Sequence, residues 1–140
     1  MKKLLLLPVM ILAALIVFSS CEQDAATLLT KEQWVFEDMT TDSEDSTIVA
    51  FVALGKYALN AGTLVFDEDK TFEIDAPLLQ DPMTGTWSLV GEDNLIMTYD
   101  DSDVPNTATI DVISDSELTY TEKIPVIDLE LHNITTSWTH

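Results

Sequence analysis

The chain has no arginine, and its six lysines face twenty-five aspartates and glutamates, a formal charge of −19. Such a balance repels phosphate backbones and offers no basic patch, so no nucleic-acid partner is expected. There is one cysteine, Cys21, so no internal disulfide can form and the fold must rest on packing and hydrogen bonding. Long apolar runs are absent after the first eighteen residues, where nothing approaches the ~20 residues of a spanning helix. Catalytic signatures are absent too: no Gly-x-Ser-x-Gly, no P-loop, no Gly-x-Gly-x-x-Gly and no His-Glu-x-x-His. The two histidines, His132 and His140, have no cysteine left to join them at a zinc site. Neither an enzyme nor a cofactor is expected.

What is present begins with an address. Met1-Lys2-Lys3 is a positive start, Leu4 to Phe18 is an apolar run containing Pro8, and Ser19-Ser20-Cys21 is a small-residue cleavage zone. The stretch Phe18-Ser19-Ser20-Cys21 resembles the bacterial lipobox, with Phe18 where that motif usually carries Leu, Val or Ile. The resemblance implies that residues 1–20 are a signal peptide and that Cys21 is lipidated and becomes the first residue. Each buried CH₂ of such a lipid contributes ~0.8 kcal/mol, and the two or three acyl chains of bacterial lipoproteins give stable attachment. Glu22-Gln23-Asp24 resembles the acidic surface-export signals of Bacteroidetes lipoproteins. Outer-membrane anchoring is therefore expected, on the periplasmic or the cell-surface side. Removing residues 1–20 leaves four lysines against twenty-five acids, a formal −21.

The remainder suits one domain, with residues 21–27 as a tether and residues 28–140 as the folded unit. Short period-two segments recur. Trp34 and Phe36, Leu64 and Phe66, Phe72 and Ile74, Trp87 and Leu89 each alternate with polar or small neighbours. The same pattern returns at Leu95, Met97 and Tyr99, at Ala108, Ile110 and Val112, at Leu118 and Tyr120, and at Ile127, Leu129 and Leu131. Alternation places each apolar set on one face of a strand. Asp67-Glu68-Asp69-Lys70, Val90 to Asn94 and Ser114 to Glu117 are short acidic links that suit antiparallel hairpins. About eight such strands in series predict an all-β antiparallel meander closing into a barrel, since closure removes exposed edges.

Two segments read otherwise. Leu28-Leu29 with Thr30 to Gln33 suits one helical turn feeding the first strand. Ser46 to Asn60 suits a short helix closing one end of the barrel, with Asp45 or Ser46 as cap and Gly62 beyond its end, but Gly55 and the β-branched residues also admit a buried strand.

The order of these features resembles the small lipocalin-like domains of Bacteroidetes lipoproteins. The resemblance rests on Leu28, Leu29 and Trp34, the apolar insert, the hairpin from Leu64 to Phe72, Gly85-Thr86-Trp87-Ser88-Leu89, and the pattern from Ile110 to Tyr120. It departs from the family at Lys70, where such hairpins often carry Gly, and in lacking the Gly-x-Trp of true lipocalins before Trp34. It implies a barrel that either holds one small apolar ligand or is filled by its own side chains. Trp34, Phe36, Phe66, Phe72, Trp87 and Met97 are the inward residues that would line a ligand pocket or plug it.

Asp100-Asp101-Ser102-Asp103 and Asp67-Glu68-Asp69 offer oxygen ligands of the kind Ca²⁺ takes, but neither has the glycine and distal glutamate of a Ca²⁺ loop. No metal site is assigned. Two functional readings follow: a lipid-anchored barrel binding a small apolar molecule, or a filled barrel serving as an accessory protein of an outer-membrane assembly. An apolar interior cavity of ~300 Å³ or more favours the first. The anchor has its own test: radiolabelled palmitate is expected to enter the wild-type chain in its host and to be lost in Cys21→Ala, and retained label overturns the assignment.

Overall fold

Alternating apolar side chains can be buried on one face only if the strands that carry them share a sheet. In a computed structural model, which describes residues 23–125 and 131–140, they do so in a closed barrel. The strands are β1 (Trp34–Thr41), β2 (Thr63–Phe66), β3 (Thr71–Asp75), β4 (Met83–Val90), β5 (Asn94–Tyr99), β6 (Asn106–Ile113), β7 (Glu117–Pro125) and β8 (Leu131–Thr139). Each pairs antiparallel with the next, and β8 returns to β1 from Val35↔Thr139 to Thr41↔Ile134. The all-β meander closing as an eight-stranded barrel is the architecture the alternation predicts. Cys21 and the signal segment lie outside the described residues, as do Ile127 and Leu129 of the expected last strand.

Among the described residues two helices accompany the barrel rather than one. Helix α1 (Ala25–Lys31) begins inside the expected tether. Asp24 caps it, accepting a hydrogen bond from the Thr27 amide at 2.8 Å. Leu29 is fully buried and Ala25 nearly so, which ties α1 to the barrel mouth and turns the expected tether into structure. The indole Nε1 of Trp34 donates to the Leu29 carbonyl at 3.1 Å and locks the junction.

Helix α2 (Ser46–Leu59) resolves the helix-or-strand alternative in favour of helix. Asp45 caps it through the Thr47 and Ile48 amides at 2.8 and 3.3 Å. Gly55 admits the close approach of Met39, whose Sδ would lie 2.8 Å from a Cβ at that position. Lys56 pairs with Asp38 at 2.6 Å and holds that carboxyl below its usual range. The helix therefore packs on β1 with Ile48 and Val52 buried.

Register shifts change the face of several residues. A bulge between Phe36 and Asp38 lets β1 follow the barrel curvature. A second, between Ile110 and Val112, reverses the alternation of β6. Val112, expected beside Ala108 and Ile110, is 41% exposed, and Ile113 packs against the core instead, opposite Leu118. Leu131, expected inward, is 62% exposed, because the phase of β8 is set by buried Ile134, Thr136 and Trp138.

Gly85 sits where β4 crosses the ring of Phe72. A Cβ there would strike the Thr98 carbonyl oxygen and lie 2.7 Å from Phe72 Cε1. Backbone on one side and a buried ring on the other leave no room to relax. Gly85→Ala is expected to lower stability by ~3 kcal/mol. Gly91→Ala, at φ +72° but with only Asp93 Oδ1 in ordinary contact at 3.7 Å, is expected to lose only ~1–2 kcal/mol from left-handed strain. Urea midpoints of the two variants measure the contrast, and equal midpoints contradict it.

Candidate functional site

The six residues singled out as inward do face the barrel axis. Trp34, Phe66, Phe72, Trp87 and Met97 are at most 2% exposed, and Phe36 is half-buried against the same core. They meet one another and their neighbours closely. Phe66 lies edge-on to Trp87 at 5.5 Å and tilted against Phe72 at 6.4 Å. Phe36 lies edge-on to Trp138 at 5.5 Å, and Phe72 to Tyr99 at 5.1 Å. Contacts of this kind fill a barrel of eight strands with its own rings. None of the six lines any of the three open grooves described below. Trp138 and Tyr120, which the sequence reading left out of the inward set, belong to the same cluster.

One end of the barrel carries α1 and the hairpins after β2, β4 and β6. Lys31 at the end of α1 pairs with Asp115 of the β6–β7 hairpin at 2.5 Å. Both groups are solvated, so the pair contributes little. Grooves of about 940 and 400 Å³ run beside α1, with Asp24, Glu92, Asp111 and Asp115 among their walls. Lys70 occupies a position of the β2–β3 hairpin that favours glycine. Its φ is +72°, a left-handed conformation that disfavours a side chain. Its ammonium lies 3.9 Å from the centroid of Trp87, an attraction that offsets part of the strain.

The other end is less evenly built. The β6–β7 ladder stops at Ala108↔Glu122, while β6 continues against β5 to Asn106 and β7 continues against β8 to Pro125. Among the described residues the two strands thus part company, leaving Asn106–Thr107 and Lys123–Pro125 without each other as partners. Pro105 and Pro125 bracket this opening, and Pro125 has no amide proton to donate. A groove of about 760 Å³ lies in the gap, with Val104, Pro105, Asn106, Glu122, Ile124 and Pro125 among its walls.

Glu122 is the chemical centre of that notch. Its cross-strand partners, Ala108 and Ile134, are both buried core residues. No hydrogen bond or ion pair engages its carboxyl among the described residues. Burial alone pushes it up to about 7. The hydroxyls of Tyr99 and Tyr120 are raised too, by burial first and then by the Glu122 charge. The sequence reading passed over Glu122, although the alternation Leu118, Tyr120, Glu122 continues onto it. Among the described residues no group of three or more His, Cys, Asp or Glu side chains is placed to hold a metal ion.

No known family model matches the chain, and no curated protein matches it. Among solved structures it is similar to a DUF4847 family protein from Bacteroides vulgatus, at 13% identity and a TM-score of 0.45, over 80% of this chain and 94% of that one.

The raised carboxyl has a consequence for stability. Between pH ~4.5 and 7 the folded state keeps a proton that the unfolded state releases, so the wild type loses stability as pH rises through that window. Glu122→Gln cannot lose it. The stability difference, variant minus wild type, is expected to grow by ~2 kcal/mol between pH 4 and pH 8. Urea midpoints across that range measure it, and a difference independent of pH contradicts the burial of the carboxyl.

Proposed function

We propose that this chain is a lipid-anchored protein of the outer membrane whose barrel is a filled scaffold, serving as an accessory component of an envelope assembly. The observation that carries the reading is the interior. Trp34, Trp138, Phe66, Phe72, Leu64, Leu95, Met97 and Leu118 are all at most 2% exposed, and ring-to-ring contacts occupy the axis where an apolar ligand would lie. That supports the accessory role over an interior carrier of small apolar molecules.

The anchor and the chain path agree with this role. Cys21 precedes the Asp24 cap by three residues, at most ~11 Å of extended chain. A lipid there holds the α1 end toward the membrane and turns the opposite end, with α2, away from it. Helix α2 leaves Val49, Phe51, Leu54 and Tyr57 exposed, between 42% and 68%, with Lys56 its one charged side chain. An apolar face of this kind on so acidic a protein is what a protein partner would cover.

The test is the size of the native particle. Extracted from its host envelope in mild detergent, the wild type is expected to elute with a mass well above that of one chain and its micelle. Leu54→Asp combined with Tyr57→Asp is expected to return it to single-chain size with the fold intact by circular dichroism. A wild type that elutes as a single chain overturns the reading.

A further inference from the structure

We propose that the notch between β6 and β7 binds a small organic cation, a primary or secondary ammonium group carried on an apolar body. The notch lies in the wall at the open end, away from the packed axis, so it is independent of the filled-scaffold reading. Its volume, about 760 Å³, falls within the range of small-molecule sites, ~300–1,000 Å³. Val104, Pro105, Ile124 and Pro125 give it apolar walls, Asn106 and the threonines of β6 and β7 give it neutral polar ones, and Glu122, Asp111 and Lys123 are its charged groups.

The chemistry of the ligand follows from Glu122. A carboxylate in apolar surroundings without a hydrogen-bond partner is unfavourable, and a charged donor is the group that relieves it most. An ammonium supplies both charge and protons. A carboxylate or phosphate ligand would meet repulsion from Glu122 and from Asp111 in the same groove. Tyr99 from β5 and Tyr120 from β7 stay protonated through neutral pH and carry no charge there. Lys123 lines the groove but makes no ion pair among the described residues. From β6 and β8, Ala108 and Ile134 present only apolar groups, and the charge of Asp101 in the β5–β6 loop acts on Tyr99. The formal charge of −21 beyond residue 20 concentrates cations around the whole molecule. An extended peptide fits less well, because Pro105 and Pro125 leave only two- or three-residue edges for a ladder.

The probe is phenethylamine, titrated into the purified full-length protein with ¹³C-labelled valine and isoleucine methyls. Saturable shifts are expected at Val104 and Ile124 and not at Val49 of α2. The neutral 2-phenylethanol, with the same ring, is expected to bind at least tenfold more weakly, and 3-phenylpropionate more weakly still. Glu122→Gln, with its other methyl signals unchanged, is expected to lose at least tenfold in amine affinity. In the wild type the affinity is expected to rise from pH 5 to pH 8 as Glu122 gives up its proton, with no such rise in the variant. Equal binding of amine and alcohol, unaltered binding by Glu122→Gln, or no saturable shift at tens of millimolar overturns the proposal.

Discussion

The ladder between β1 and β8 joins the two ends of the folded chain, from Val35↔Thr139 to Thr41↔Ile134. Much else in the molecule follows from it. It removes the open edges that β1 and β8 would otherwise present, which a chain with no internal disulfide cannot easily protect. It places Phe36 against Trp138 and lets His140 stack on Trp34 at 4.0 Å. The two strands can meet only because β1 bulges between Phe36 and Asp38, where the curvature of a closed sheet exceeds what regular pairing allows. Once the ring is closed, every inward stripe points at one axis. The interior then has to be either empty or filled, and three tryptophans with two phenylalanines fill most of it. Truncating any one of those rings to alanine would remove ~3–5 kcal/mol, a large part of what a domain of this size possesses.

Closure is uneven along the barrel, and the unevenness creates its chemistry. β2 and β3 are four and five residues long, whereas β7 and β8 have nine each. At the α1 end the hairpins are tight and a helix lies across them. At the far end β6 and β7 run in different company, and two prolines prevent the ladder between them from resuming. A carboxyl that would be solvated on any outward position is held there among core residues. The notch is thus a by-product of strand lengths and proline positions. Glu122 is unmatched there because the ladder that would have covered it is missing.

Alternation made β2, β3, β4 and β5 legible, since each keeps a strict period of two and a turn rich in acids at one end. It misplaced Leu131 because buried Ile134, Thr136 and Trp138 set the phase of β8, and Val112 because of a bulge. A single inserted residue in a bulge reverses every face beyond it, and nothing in the composition of Ile110-Asp111-Val112-Ile113 marks where the insertion falls. The start of α1 was hidden because Asp24 looks like tether until it is seen capping the Thr27 amide. The lipocalin resemblance predicted the inward aromatics but could not say whether they enclose space, because that depends on how their rings meet across the barrel. Glu122 was legible in its phase and missed for its type. An inward glutamate on an alternating strand contradicts the expectation of an apolar stripe, and such a contradiction is itself a pointer to a site.

The acidity of the chain bears on that glutamate directly. Of the four lysines after Cys21, Lys31 pairs with Asp115, Lys56 with Asp38, and Lys70 lies over Trp87. Each fixes an element, α1, α2 or the β2–β3 hairpin, and so is not available elsewhere. Lys123, on the strand position next to Glu122, lines the same groove without pairing with it. The wall carboxyl consequently has no paired cation among the described residues. Two states remain favourable for it: protonated and alone, or ionised with a cation brought from outside. The first dominates at low pH and the second requires a ligand. A half-buried acid that sits between those states near neutrality couples proton release to cation capture. That coupling needs no motion of the barrel, because the walls of the notch are set by ladders that the rest of the fold already holds in place.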